Sequence, residues 1–141
     1  YNISVLDAEA TRFALQHFEV FAQQTAALCE ARTTLAVRLQ ALVGSQGSLG
    51  ANGLDTVYPS AANFVLVRVA DTVAGATPTA QPSRASRVAT AMRERGVLIK
   101  DASRMHPLLA NCLRLTVGAP AENEAMLAAL AEALQAIPAR V

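Results

Sequence analysis

The chain has 141 residues, 52% of them apolar and 16% charged, with a formal net charge of +1. That length suits a single domain able to bury about two-thirds of its unfolded surface. The near-neutral balance supplies no broad electrostatic footprint for nucleic acid or an anionic membrane, and no run approaches the roughly 18 consecutive apolar residues of a membrane span. The apolar content and the seven glycines also argue against a rod or a disordered tail. Cys29 and Cys112 lie far apart without a CxxC partner, which speaks against a disulfide framework or a zinc site. Tyr1-Asn2-Ile3-Ser4 lacks the basic-then-apolar pattern of a signal peptide, so a reducing, cytoplasmic setting is expected. Alanine makes up about a fifth of the chain, and Lys100 is the only lysine. The first residue is not methionine, so a processed product or a piece of a longer chain is expected.

In chain order, Ser4 can cap a first helix, with Asp7 in capping-box position and Phe13, Ala14 and Phe18 on one apolar face. A longer helix follows, with Phe21, Leu28, Leu35, Leu39 and Leu42 near one face, Arg32 and Arg38 among polar positions, and Gly44 as a natural stop. Gly44, Gly47, Gly50 and Gly53 then recur every three residues. A phosphate-cradling loop sits between a strand and a helix, whereas this one follows a helix and precedes a strand, so a flexible connection is expected.

Thr56–Pro59 and Asn63–Val69 read as strands, the second so continuously apolar that cover on both faces is expected. Ala70–Pro82 is an Ala/Thr/Pro-rich loop. A helix from Ser83 to Arg95 ends at Gly96, strand Val97–Lys100 follows, and Asp101–Asn111 is a loop. Strand Cys112–Val117 has alternating sides. Gly118-Ala119-Pro120 opens a last helix, with Glu122 and Glu124 at its positive end, a stripe of Leu127, Leu130, Leu134 and Ile137, and Pro138 as its stop. The order α-α-β-β-α-β-β-α predicts an α+β class, with helices packed on one face of a small, largely antiparallel sheet.

Few residues suggest chemistry. His17 and His106 have no Cys, Asp or Glu at metal-ligand spacing, and no metal site is expected. Cys29 and Cys112 read as small core residues, no Gly-x-Ser-x-Gly elbow exists, and the carboxylates are scattered. Arg114 is different. It stands mid-strand between Leu113 and Leu115, where it is either surface-facing, salt-bridged, or a guanidinium fork aimed at a carboxylate or phosphate. Lys100 ends the preceding strand and Arg104 follows in the loop, so three cations can form a small anion site. Lys100 as a Schiff-base lysine would need burial or a neighbouring cation.

Tyr58-Pro59-Ser60-Ala61-Ala62-Asn63-Phe64-Val65-Leu66-Val67-Arg68, Arg95-Gly96-Val97-Leu98-Ile99-Lys100-Asp101 and Asn111-Cys112-Leu113-Arg114-Leu115-Thr116-Val117-Gly118 together resemble the C-terminal part of histidinol-phosphate aminotransferases. Ala119-Pro120-Ala121-Glu122-Asn123-Glu124 is similar to that family's opening of its last helix, and Tyr1-Asn2 to the start of its inter-domain helices. The resemblance covers essentially the whole chain. It implies inter-domain helices over 1–43 and a small C-terminal domain over 44–141 of a homodimeric, fold type I, pyridoxal-phosphate-dependent aminotransferase. Such enzymes exchange an amino group between histidinol phosphate and glutamate/2-oxoglutarate in histidine biosynthesis. Arg114 matches the arginine that grips the substrate's anionic end. A second family cation, usually arginine, falls on Lys100, a point charge instead of a fork, and Arg104 can share that contact. The family's cofactor-binding lysine segment has no counterpart in this sequence, so neither bound pyridoxal phosphate nor a catalytic residue is expected in this chain. A neighbouring aromatic aminotransferase, a threonine-phosphate decarboxylase and a free-standing ligand-binding domain are the alternatives.

Overall fold

The computed structural model describes residues 3–44, 52–71 and 82–139. The interior of the glycine-spaced segment (45–51) and most of the Ala/Thr/Pro-rich connection (72–81) therefore lie outside the described residues. The elements are α1 (Val5–Gln16), α2 (Phe18–Gln40), β1 (Leu54–Val57), β2 (Phe64–Val69), α3 (Arg84–Glu94), β3 (Lys100–Asp101), β4 (Cys112–Thr116) and α4 (Pro120–Ala136). The four strands form one antiparallel sheet in the order β1-β2-β4-β3. This is the expected α+β class.

Strand periodicity decides which side of the sheet becomes the core. Val65, Val67 and Val69 of β2 and Leu113, Leu115 and Val117 along β4 are buried, and their neighbours point the other way. Three helices cover the buried face: α3 through Ala85, Val88 and Met92, α4 through Met126, Leu127, Leu130 and Leu134, and the C-terminal half of α2 through Leu35 and Leu39. The expectation that β2 is covered on both faces is corrected. On its other side Phe64, Leu66 and Arg68 are only half-buried.

Other boundaries move for local reasons. The α2 helix ends at Gln40, before Gly44, because Leu42 and Val43 bend to join the sheet: the Leu54 N–H donates to Leu42 O (2.8 Å), and Val43 bridges Leu54. The Phe21 and Leu28 end of the α2 stripe stays exposed, and α1 buries no residue. Cys29 is exposed on α2, correcting its reading as a core residue, whereas Cys112 is buried. The strand expected over 97–100 shrinks to Lys100–Asp101. Gly96, at φ +80, reverses the chain after α3, and Val97 N bonds back to Met92 O (3.0 Å) before pairing can begin.

The loops are closed by polar side chains. Ser60 makes a turn within the Tyr58–Phe64 block, donating to Phe64 O (2.5 Å) and accepting from Ala62 N (3.1 Å). At the head of α4, Glu122 accepts from Ala119 N (2.8 Å), and buried Asn123 clasps Gly118 at both its N–H (2.9 Å) and C=O (3.0 Å). A Cβ on Gly118 would meet Glu122 Oε2 at 2.5 Å, so a larger residue there would displace the Glu122 carboxylate from the Ala119 N–H.

Two polar fastenings hold the layers. Arg84, the first residue of α3, is fully buried. Its guanidinium donates to Ile137 O (2.7 Å), Ala70 O (2.5 Å), Gly53 O (3.4 Å), Asn52 O (2.5 Å) and Leu134 O (3.0 Å). These carbonyls belong to the end of α4, the end of β2 and the entry to β1, so one side chain joins four segments. Burial lowers its pKa, with the charge of Asp71 opposing that effect. The second fastening is Asp101, which accepts from Ser86 Oγ (2.5 Å) and Ser103 N (2.9 Å) and so ties β3 to α3. Burial pushes its carboxyl up, but the bonds from Ser103 and Ser86 and the charge of Arg104 outweigh it and hold the group below the ordinary carboxylate range.

Replacing Arg84 with Met leaves five carbonyls without their donor, and we expect a loss of about 3–5 kcal/mol in urea unfolding. A loss below about 1 kcal/mol would show that those carbonyls find other partners. Because the folded-state pKa of Asp101 is depressed, its contribution is complete above the unfolded value of about 4 and is lost as pH falls below it. Urea midpoints measured between pH 6 and pH 3 should therefore fall less steeply for Asp101→Asn than for the unaltered chain. Parallel curves would contradict that assignment.

Candidate functional site

The half-exposed side of the sheet carries the polar residues that the strands turn away from the core. The register sets Arg114 of β4 between Leu66 of β2 and Lys100 of β3. Tyr58, whose N–H donates to Leu66 O (2.9 Å), extends the same row toward β1. One step along, Phe64 pairs with Thr116 and Arg68 with Cys112. The face thus presents two arginines, one lysine and two aromatic rings on a rigid antiparallel platform.

The three expected site residues end in different environments. Arg114 is exposed, with its guanidinium 5.3 Å from the centroid of the Phe64 ring. Among the described residues no carboxylate pairs with it and no acceptor takes its hydrogens. Of the readings open from sequence, a salt-bridged Arg114 is absent among the described residues, and its exposure fits both a surface-facing side chain and an outward fork. The Phe64 face gives the guanidinium a flat support while its N–H edge stays available. Lys100, directly opposite on β3, is also exposed. Arg104 lies in the turn after β3, where its positive charge acts on Asp101, and no described contact joins it to Arg114 or Lys100. The fold therefore brings Lys100 and Arg114 together by strand pairing and leaves Arg104 apart.

Sequence reasoning missed two residues of this face. Arg68 donates from Nε to the Tyr58 hydroxyl (3.0 Å), from Nη1 to Ala110 O (2.7 Å) and from Nη2 to Leu108 O (2.8 Å). The bond to Tyr58 raises its pKa above the ordinary value, against the effect of burial. The clue was its alternation with Val67 and Val69, which aims it at the same side as Arg114. Tyr58, the second omission, combines its ring beneath Arg68 (5.9 Å) with its hydroxyl at Nε.

The remaining candidates are structural. His106 caps a short 3-10 turn at Pro107–Leu109 by accepting from Leu108 N (3.2 Å), and His17 contacts the ring of Phe13. Burial raises the Cys112 thiol pKa, which keeps it protonated and unreactive. No group of three or more metal-ligating side chains occurs among the described residues, and no described helix is long and apolar enough to cross a membrane. A groove of ≈ 580 Å³ between α2 and the start of α4 is lined by residues such as Leu28, Ala31, Leu35, Pro120 and Leu127. None of the three cations lines it.

A platform of this kind can bind and orient an anion, with Arg114 offering two parallel N–H donors to a carboxylate or phosphate and Lys100 a neighbouring point charge. Comparison with known proteins gives this geometry a context. No family model matches the chain. It is 45% identical over 130 residues to a histidinol-phosphate aminotransferase of Methylibium petroleiphilum, covering 92% of this chain and 29% of that protein. It is 46% identical over 134 residues to the histidinol-phosphate aminotransferase of Acidovorax sp. strain JS42, covering 95% and 30%. Over the same length it is 44% identical to histidinol-phosphate aminotransferase 2 of Burkholderia pseudomallei, covering 95% and 31%. The chain thus spans about 30% of the length of the curated relatives it matches. Over nearly its whole length, the chain is a sequence relative of the histidinol-phosphate aminotransferases.

Proposed function

We propose that this chain is the substrate-anion-binding part of a pyridoxal-phosphate-dependent aminotransferase that exchanges an amino group between histidinol phosphate and 2-oxoglutarate. The full-length protein would work as a cytoplasmic homodimer. The observation that carries the reading is Arg114, exposed opposite Lys100 with no carboxylate partner among the described residues, on a chain 44–46% identical to proteins of that name. Strand pairing fixes the Arg114 backbone and the Phe64 ring lies against its guanidinium, which reduces the freedom lost when an anion docks. Its fork fits the α-carboxylate of glutamate in one half-reaction and the phosphate of histidinol phosphate in the other. Lys100 adds a charge without fixing an orientation, which lets one site accept both groups.

The cofactor would supply the electron-sink chemistry. Lys100 has a neighbouring cation in Arg114 but is exposed instead of buried, and the adjacent carboxylate, Asp101, is engaged by Ser86 and Ser103, so we do not assign it the cofactor. The proposal therefore assigns cofactor binding to the part of the relatives' length that this chain does not span. The work of this chain is to bind and orient the anionic end of the substrate.

The test uses the full-length enzyme carrying Arg114→Ala. Its kcat/KM for glutamate should fall about a hundredfold, equivalent to about 2.7 kcal/mol, while the visible absorbance of the bound cofactor persists. Arg114→Lys should recover part of the loss, because it restores charge without the fork. Unchanged kinetics in Arg114→Ala would overturn the assignment.

A further inference from the structure

Resting on that reading of the anion site, we infer that Arg68 is its positioning residue. Its guanidinium staples the β3–β4 connection to β2 and Tyr58, and so holds Arg114 and Lys100 in productive register without touching substrate.

The need for a staple comes from how little else fixes that register. The β3 strand has two residues, and its pairing consists of Lys100↔Arg114 and Asp101↔Leu113. A strand so short is marginal by itself, so its alignment depends on how the segment between the two cations is held. On the β3 side that segment is fastened by the bonds from Ser86 and Ser103 to Asp101 and by Ala102 N to Cys112 O (3.0 Å). On the β4 side, Arg68 takes Leu108 O and Ala110 O in one fork, and Val69 N donates to Asn111 O (2.9 Å).

Between those carbonyls and β4 stands Asn111, at φ +57, a left-handed conformation that a residue with a side chain adopts at some cost. Such a conformation persists where its surroundings over-determine it, and the bond from Arg68 to the preceding carbonyl does so. The fork requirement explains the residue type. Three acceptors on two segments are reached at once by a planar guanidinium and not by an ammonium. All three acceptors are neutral, so this is a geometric device and not an ion pair. Arg68 and Arg114 also rest on different rings, Tyr58 and Phe64, which keeps the staple and the anion fork as separate structural units on one face.

The experiment is a double-mutant cycle on the full-length enzyme, with initial rates over a range of glutamate concentrations. Arg68→Met should raise KM about tenfold with kcat within about twofold, and Arg68→Lys should recover part of that by holding one carbonyl. In the Arg114→Ala background the same change should raise KM by less than about twofold, because the residue it positions is gone. A tenfold rise that persists in that background overturns the inference, as does an unchanged KM in Arg68→Met while Arg114→Ala raises it. If Arg114→Ala itself leaves KM unchanged, the anion-site reading fails first and the staple falls with it. Should Arg68→Met not yield soluble enzyme, Tyr58→Phe removes only the Nε acceptor. It should raise KM about two- to threefold, again only when Arg114 is present, and the absence of that dependence overturns the inference.

Discussion

Along β4 the two-residue period of an extended chain ties the core to the exposed face that bears Arg114. Leu113, Leu115 and Val117 are buried against the helices, and this obliges Arg114 and Thr116 to emerge on the opposite side. A one-residue slip would bury an arginine and expose three apolar side chains, so burial of the core enforces the outward aim of the guanidinium. Pairing with β2 then supplies Phe64 as its support, and pairing with β3 supplies Lys100 as its neighbour. The candidate site is in this sense the back of the hydrophobic core.

Around that constraint, polar side chains act as fasteners where short strands and long connections are weakest. Arg84 binds the ends of β2 and α4 and the entry to β1 with one buried guanidinium. Asp101 secures β3 to α3, and Arg68 secures the β3–β4 connection to β2. Surface ion pairs are a minor contribution. Arg38 with Glu124 and Arg95 with Glu132 link helices across exposed ground, where such pairs contribute about 0–1 kcal/mol.

Much of this was legible in the sequence. The alternation around Arg114, the glycine stop at Gly96, and the Pro120 and Glu122 start of α4 each act through local geometry, and each stands where local patterning places it. What was not legible depends on contacts between distant residues. Lys100–Asp101 is a strand because β4 lies beside it, and the apolar run before it turns away at Gly96. Cys29 looked like a core residue because its helix is alanine-rich and apolar, yet it stands on an exposed side of α2 while Ala31 is the neighbour that packs on the core. Arg84 offered one neglected signal. A cation in the first turn of a helix opposes the helix dipole, and that local misfit marks a residue serving a long-range contact. Arg68 gave only its parity, since the carbonyls it binds lie 40 and 42 residues away.

The central claim is that the face bearing Arg114 and Lys100 receives the substrate's anionic end. A crystal structure of the full-length protein with histidinol phosphate bound tests it most directly. The account predicts phosphate oxygens within about 2.7–3.2 Å of the Arg114 guanidinium, on the open side of the sheet. A phosphate held elsewhere, with Arg114 still facing solvent over Phe64, would contradict it.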